Sequence, residues 1–158
     1  MKKRVAALGL DLGKRRIGVA GCDGLGMMAT GLTTIRRTSF PADIAALQKL
    51  VKEREVEILV VGLPYHLDGT LSAGAEQIQK LAKRIGKALQ LPIEYVNESL
   101  TSYEAEEMMR SQGIRVLDHQ EMIDRKAAAI ILQQWLNETA QKSQKSQNSP
   151  SAPNPQDS

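Results

Sequence analysis

The chain has 158 residues, with 21 Lys and Arg against 18 Asp and Glu, so its formal net charge at pH 7 is only +3. Any nucleic-acid contact must therefore come from local clusters of cations rather than from overall charge. The single cysteine, Cys22, excludes an intramolecular disulfide framework, and no apolar run approaches the roughly 18 residues that a membrane span needs. We expect a cytoplasmic protein with no membrane partner.

The last twenty residues, Thr139–Ser158, differ in composition from the rest of the chain. They hold five Ser, four Gln, three Pro and two Asn, and they lack Val, Ile, Leu and aromatic residues. Such a segment cannot bury a core. The sequence therefore predicts one folded domain over residues 1–138 and a disordered polar tail over residues 139–158. This length suits a single hydrophobic core and nearly excludes a two-lobed enzyme.

Five extended apolar segments predict strands, and four further segments carry helical spacing or capping residues. The first three strands are joined by short turns, which predicts antiparallel pairing, whereas the last two alternate with helices, which predicts parallel pairing. The result is an α/β fold: a mixed five-stranded sheet, three antiparallel strands and then parallel additions, with helices on both faces. The predicted strands are Val5–Leu10, Ile17–Ala20, Met27–Ile35, Glu57–Gly62 and Ile93–Val96, and the predicted helices begin near Ser39, Ser72, Thr101 and His119, the third ending at Gly113 and the last at Asn137.

Three carboxylates occupy positions where structure alone would favour an apolar or neutral residue. Asp11 ends the first buried strand, Glu98 follows the last strand, and Asp124 lies in the apolar stripe of the final helix. Functional groups in α/β sheets gather at strand ends, so the three could converge on one point. Taken singly, each is better explained as a turn residue or as the partner of a nearby Arg, and only their combination favours a site.

Three consecutive cations, Lys14, Arg15 and Arg16, follow Asp11 and Gly13. Glycine allows close backbone approach, and the cations could hold phosphate oxygens beside whatever Asp11 binds. A solvated hairpin turn is the alternative interpretation, and a short basic run alone would favour it. The adjacency to Asp11 shifts the balance towards phosphate binding.

The loop Pro64–Thr70 leads from the fourth strand to the next helix. Its backbone N–H groups and hydroxyls could meet an anion, although an ordinary strand-to-helix connection explains it almost as well. His66 and His119 lack metal-ligand spacing with any Cys or His, so zinc is not expected.

In combination, four segments resemble the motifs of the YqgF (RuvX) family, described as Holliday junction resolvases and as pre-16S rRNA nucleases. The resemblance covers Lys3–Leu136, and four motifs in order at compatible spacing make it specific. It implies an RNase H-like fold, in agreement with the order of strands and helices. The segments are GLDLGKRRIGVA at Gly9–Ala20, VVGLPYHLDGT at Val60–Thr70, NESLTS at Asn97–Ser102 and IDRKAAAIIL at Ile123–Leu132.

The resemblance implies catalytic and metal-binding roles for Asp11, Glu98 and Asp124, which match the acidic positions of the family motifs. Their hard oxygen donors suit Mg²⁺ or Mn²⁺. A two-metal mechanism, with Asp11 bridging the ions, needs no His or Ser nucleophile, and the chain shows no nucleophilic triad. The expected contacts to nucleic-acid phosphates are Lys14, Arg15, Arg16, Thr70 and Arg125.

The third motif departs from the family pattern at three positions. Asn97 replaces the usual Asp, Ser99 the usual Arg, and Ser102 the second Thr. Loss of the Arg removes a candidate partner for a phosphate or a carboxylate. This departure bears on substrate geometry rather than on metal binding.

We expect a metal-dependent endonuclease that acts in 5′-end processing of pre-16S rRNA during ribosome biogenesis. Cleavage of four-way DNA as a Holliday junction resolvase is one alternative, and it would require a dimer to cut two strands symmetrically. A non-catalytic nucleic-acid-binding factor for ribosome assembly or transcription is another. An actin-like ATPase is disfavoured, because no second Asp-x-Gly loop follows a buried strand. The expected partner is nucleic acid, bound by a monomer or a homodimer.

Overall fold

The computed structural model describes residues 5–64, 74–97 and 120–148, and their side chains up to residue 140. These residues form five strands and three helices. The helix predicted to begin at Thr101 lies outside the described residues. The elements are β1 Ala7–Leu12, β2 Arg16–Cys22, β3 Ala29–Arg36, α1 Phe40–Arg54, β4 Ile58–Leu63, α2 Ala75–Leu89, β5 Ile93–Asn97 and α3 Gln120–Asn148.

The five strands form one sheet in the order β3-β2-β1-β4-β5. β1 pairs antiparallel with β2, and β2 with β3, whereas β1 pairs parallel with β4, and β4 with β5. This arrangement confirms the predicted mixed sheet. Because β1, β4 and β5 run parallel, their carboxyl ends meet at one edge of the sheet, where Leu12, Leu63 and Asn97 end the three strands.

The helices divide between the two faces of the sheet, as predicted. α1 and α2 cover one face, where the core consists of large branched side chains. α3 crosses the other face and contacts all five strands. The buried core under α1 and α2 includes Leu8, Leu10, Leu12, Val19, Leu47, Val51, Leu59 and Ile85. The buried core under α3 includes Ala7, Ala20, Val60, Val96, Ala128, Ile131 and Leu132.

Local signals account for most helix ends. The Ser39 hydroxyl accepts a hydrogen bond from the Ala42 N–H at 3.3 Å, which confirms the predicted cap of α1. α2 starts at Ala75 after Gly74, later than the predicted start near Ser72. It ends with Gln90 in the left-handed conformation, at φ 58°, shortly before Pro92.

The last helix, α3, is longer than the sequence pattern predicts. It begins at Gln120 but continues to Asn148, past the predicted end at Asn137. No Gly or Pro lies between these two positions, and Ala, Gln and Lys in this stretch favour helix. The predicted disorder does not hold for residues 139–148, which are helical in α3, and residues 149–158 lie outside the described residues, so their disorder stays a prediction. Among the helices in the described part of the chain, none is both long and apolar enough to cross a membrane.

Candidate active site

Asp11 lies near the carboxyl end of β1, on the face of the sheet that α3 covers. Side chains alternate along a strand, and Leu10 and Leu12 belong to the core under α1 and α2. Asp11 therefore shares the opposite face with Ala7, which packs in the core under α3. Its antiparallel partner on β2 is Gly18.

Asp124 lies directly above this strand pair. A Cβ atom added at Gly18 would collide with the carbonyl oxygen of Asp124 and would lie 3.1 Å from its Cβ. Because Gly18 is the partner of Asp11, the two carboxylates belong to one face of the same strand pair. Two of the three predicted acidic residues thus lie close together at the predicted end of the sheet.

A platform of glycines lets α3 approach the sheet this closely. A Cβ at Gly9 would lie 2.7 Å from Leu132 Cβ, and one at Gly31 would lie 2.9 Å from Arg125 Cβ. Together with Gly18, these residues lie on three adjacent strands, and the helix backbone rests directly on them. Sequence reasoning missed this platform. Its signal is glycine inside predicted strands, which marks sites where another backbone approaches closely.

Arg16, the first residue of β2, forms an ion pair with Asp124. Its Nε donates to Oδ2 of Asp124 at 2.6 Å, and its Nη2 donates to Oε1 of Gln120 at 3.2 Å. The pair is largely shielded from water, since the side chains are 31% and 17% exposed for Arg16 and Asp124. Pairing with a nearby Arg was the alternative interpretation of Asp124, and the structure contains that pair beside Asp11.

The hairpin turn between β1 and β2 presents the other two cations of the basic run. The Gly13 N–H donates to the carbonyl of Arg16 at 2.9 Å, which closes the turn. Arg37, which directly follows β3, stabilises the turn: its Nη1 donates to the carbonyl of Gly13 at 2.8 Å, and its backbone N–H donates to the carbonyl of Arg15 at 2.8 Å. Lys14 and Arg15 are exposed on this braced turn. Sequence reasoning missed the role of Arg37.

Arg125 lies next to Asp124, over Gly31 of β3. Its Nε is buried and has no hydrogen-bond partner among the described residues. The side chain lines a groove of about 460 Å³ between β3 and α3, together with Lys126, Met122 and Gln133. Because this Nε is shielded from solvent, Arg125 borders the site through the part of its side chain that lines the groove.

The remaining predicted site residues, Glu98 and Thr70, lie outside the described residues. Glu98 follows Asn97, the last residue of β5, in the sequence. Within residues 5–64, 74–97 and 120–148, no group of three or more His, Cys, Asp and Glu side chains could hold a metal ion. The third carboxylate of the predicted set therefore stays a prediction.

The fold resembles that of RuvC. A structure of Thermus thermophilus RuvC matches with a TM-score of 0.52 and 14% sequence identity, covering 87% of this chain and 97% of that one. T. thermophilus RuvC in complex with a Holliday junction substrate matches with a TM-score of 0.51 and 15% identity, covering 86% and 96%. The predicted RNase H-like fold is confirmed by this similarity.

Close relatives identify the family. A protein of Gloeothece citriformis is 59% identical over 138 residues, which are 87% of this chain and 91% of the relative. One of Acaryochloris marina is 60% identical over 136 residues, 86% of this chain and 94% of the relative. Both carry the name "Putative pre-16S rRNA nuclease". The family model described as "RuvX: Holliday junction resolvase" matches residues 5–138, and the chain therefore belongs to the RuvX family.

Proposed function

We propose that this protein is a metal-dependent endonuclease that hydrolyses phosphodiester bonds in the 5′-end processing of pre-16S rRNA. The observation that carries the proposal is that Asp11 and Asp124 both adjoin Gly18: Asp11 is its partner on β1, and Asp124 lies above it on α3. An exposed basic turn lies beside them. Membership of a nuclease family and the names of the close relatives support hydrolysis of a phosphodiester. The relatives' names also favour RNA processing over the alternatives.

The chemistry of the site fits a divalent cation. Asp11 and Asp124 offer carboxylate oxygens, which are hard donors suited to Mg²⁺ or Mn²⁺. Glu98 follows β5 in the sequence, and we assign it as the third ligand. When bound, the metal would activate a water molecule and stabilise the leaving oxygen.

The protein's own residues position these groups and the substrate. The sheet fixes Asp11, the glycine platform fixes α3, and the Arg16 guanidinium is paired with Asp124 through the 2.6 Å contact. Lys14 and Arg15 project into solvent from a turn that Arg37 holds in place, so both cations can reach phosphates. We assign Arg125, which lines the groove beside the site, and Thr70 as further phosphate contacts.

Cleavage of four-way DNA is the second candidate. The family description names a Holliday junction resolvase, and a structure of RuvC with such a substrate shares the fold. Symmetric cutting of two strands would require a homodimer, whereas trimming of an RNA end requires only a monomer. We propose the monomeric RNA-processing role, in the cytoplasm where ribosome precursors mature.

The test compares two substrates and three proteins. We expect the wild type to cleave a 5′-extended 16S rRNA precursor with Mg²⁺ or Mn²⁺, and we expect Asp11→Asn to show no detectable cleavage while remaining folded. Glu121→Gln is the matched control. It removes a carboxylate from α3, the helix that carries Asp124, but Glu121 is paired with Arg36 and does not belong to the proposed site.

The outcomes separate the candidates. Cleavage of the RNA alone, lost in Asp11→Asn, supports the proposal, and cleavage of a four-way DNA junction alone supports the resolvase. Binding of RNA without cleavage of either substrate would replace the enzyme with a non-catalytic binding factor. Full activity in Asp11→Asn would remove Asp11 from the catalytic site.

A further inference from the structure

We propose that Arg16 competes with the divalent cation for Asp124, so that the protein binds metal weakly until a nucleic-acid phosphate draws the guanidinium away. This inference rests on the proposed function, because it needs a metal at Asp11 and Asp124. It gives Arg16 a role distinct from that of its exposed neighbours Lys14 and Arg15, which pair with no carboxylate among the described residues.

The contacts of Arg16 show how firmly the carboxylate is held. Nε donates to Oδ2 of Asp124 at 2.6 Å, a charge-assisted hydrogen bond at the short end of the usual range. Nη2 donates to Gln120 at 3.2 Å, one helical turn before Asp124. The guanidinium therefore forms hydrogen bonds with two successive turns of α3. Because the ion pair is partly buried, salt screens it only weakly.

A metal ion at the same carboxylate meets two obstacles. One oxygen of Asp124 already has a short hydrogen bond from Arg16, so its electron density is shared. The guanidinium also places a positive charge beside the cation, and like charges in a partly buried site repel strongly. Binding of the metal is therefore favoured when Arg16 leaves Oδ2.

A phosphate of the substrate offers Arg16 a new partner. The guanidinium fork matches the geometry of a phosphate, and Arg16 adjoins Lys14 and Arg15 on the basic turn. Moving the guanidinium from Asp124 to the substrate frees the carboxylate for the metal. Metal and nucleic acid therefore bind cooperatively, and each raises the affinity for the other by the same factor.

Calorimetric titration with Mn²⁺ alone, without nucleic acid, tests this competition. We expect Arg16→Gln to bind Mn²⁺ about tenfold more tightly than the wild type, within the usual range of coupling between sites. Arg36→Gln is the matched control, because Arg36 pairs with Glu121 on the same helix but is 80% exposed and does not contact Asp124. We expect its Mn²⁺ affinity to stay within about twofold of the wild type, since exposed charges are well screened.

A second variant guards against misfolding of Arg16→Gln. Gln120→Ala leaves the ion pair in place but removes the hydrogen bond between Gln120 and the guanidinium. We expect this variant to bind Mn²⁺ about two- to threefold more tightly than the wild type, because the lost hydrogen bond is coupled only modestly to metal binding. Thermal unfolding of each variant, with and without Mn²⁺, checks that the fold is kept and that the bound metal stabilises it.

Failure of this inference differs from failure of the proposed function. If the wild type binds Mn²⁺ and Asp11→Asn does not, but neither Arg16→Gln nor Gln120→Ala binds it more tightly, the competition is absent and the metal site stands. Weaker binding by Arg16→Gln would likewise overturn the inference, because Arg16 would then serve to orient Asp124 for the metal. If neither the wild type nor any variant shows Mn²⁺ binding that depends on Asp11, the metal site itself is wrong.

Discussion

The two faces of the sheet are built from different residues and have different roles in the protein. Under α1 and α2, side chains such as Leu8, Leu10 and Leu59 are fully buried and separate the helices from the strands. Under α3, the glycine platform of Gly9, Gly18 and Gly31 brings the helix backbone onto the strands. The first face contributes burial of apolar area, and the second contributes a fixed position for a few polar groups.

This contrast has an energetic reason. A buried Leu side chain contributes about 1.5–3 kcal/mol, whereas glycine contributes no side-chain burial and costs backbone entropy in a strand. Each glycine of the platform therefore contributes less to the stability of the fold than a buried leucine on the other face does. In return, Asp124 comes within reach of the strand pair that carries Asp11, and Arg16 can bridge from β2 to α3.

The largest effect is expected from filling the platform. In Gly18→Ala, the new Cβ would collide with the backbone of Asp124, so α3 must shift away from the sheet. We expect a loss of about 3 kcal/mol in the free energy of unfolding, the cost of overpacking a tight site. We also expect about a hundredfold loss of cleavage, because small displacements of reacting groups are costly. The fluorescence of Trp135, the single Trp, reports the unfolding of α3.

The control for this change is a glycine on the other face. In Gly21→Ala on β2, the new Cβ would lie 2.7 Å from Nε of Arg54 on α1, in the guanidinium end of a flexible side chain that can move. Alanine also costs less backbone entropy than glycine in a strand. We expect this variant to keep wild-type stability within about 1 kcal/mol and to keep its activity. Equal effects of the two glycine changes would contradict the proposed difference between the faces.

On the α1–α2 face we expect a purely structural effect, without the loss of cleavage that Gly18→Ala causes. Leu47 on α1 is fully buried in the core, and Leu47→Ala removes apolar contacts and leaves a cavity. We expect a loss of about 2–5 kcal/mol in unfolding free energy by denaturant titration, with cleavage per folded molecule unchanged. A hundredfold loss of cleavage in a fully folded Leu47→Ala protein would show that this face also positions the site.

Much of the fold and two residues of the candidate site were predictable from the sequence. The apolar runs and turns predict all five strands, and the interruption of an apolar helical stripe by Asp124 predicts that this carboxylate faces the sheet. The position of Asp11 at the end of a strand predicts the second carboxylate of the site. These signals are local, because periodicity and capping depend on residues that are neighbours in the chain.

The rest depends on which elements meet in space. Gly9 and Gly31 read as ordinary strand residues until α3 is known to cross above them. The bracing of the basic turn by Arg37 depends on the approach of the end of β3 to the β1–β2 hairpin. The end of α3 at Asn148 was missed because composition, rather than a helix stop signal, set the predicted boundary.

The most direct test of a metal site on the α3 face is an amide NMR titration of the wild type with Mg²⁺. We expect the chemical-shift changes to concentrate at Asp11, Gly18 and Asp124 and their chain neighbours, while the amide signals of the α1–α2 core, such as those of Leu47 and Val51, do not shift. Changes spread over the acidic surface, or centred on the α1–α2 face, would contradict this expectation.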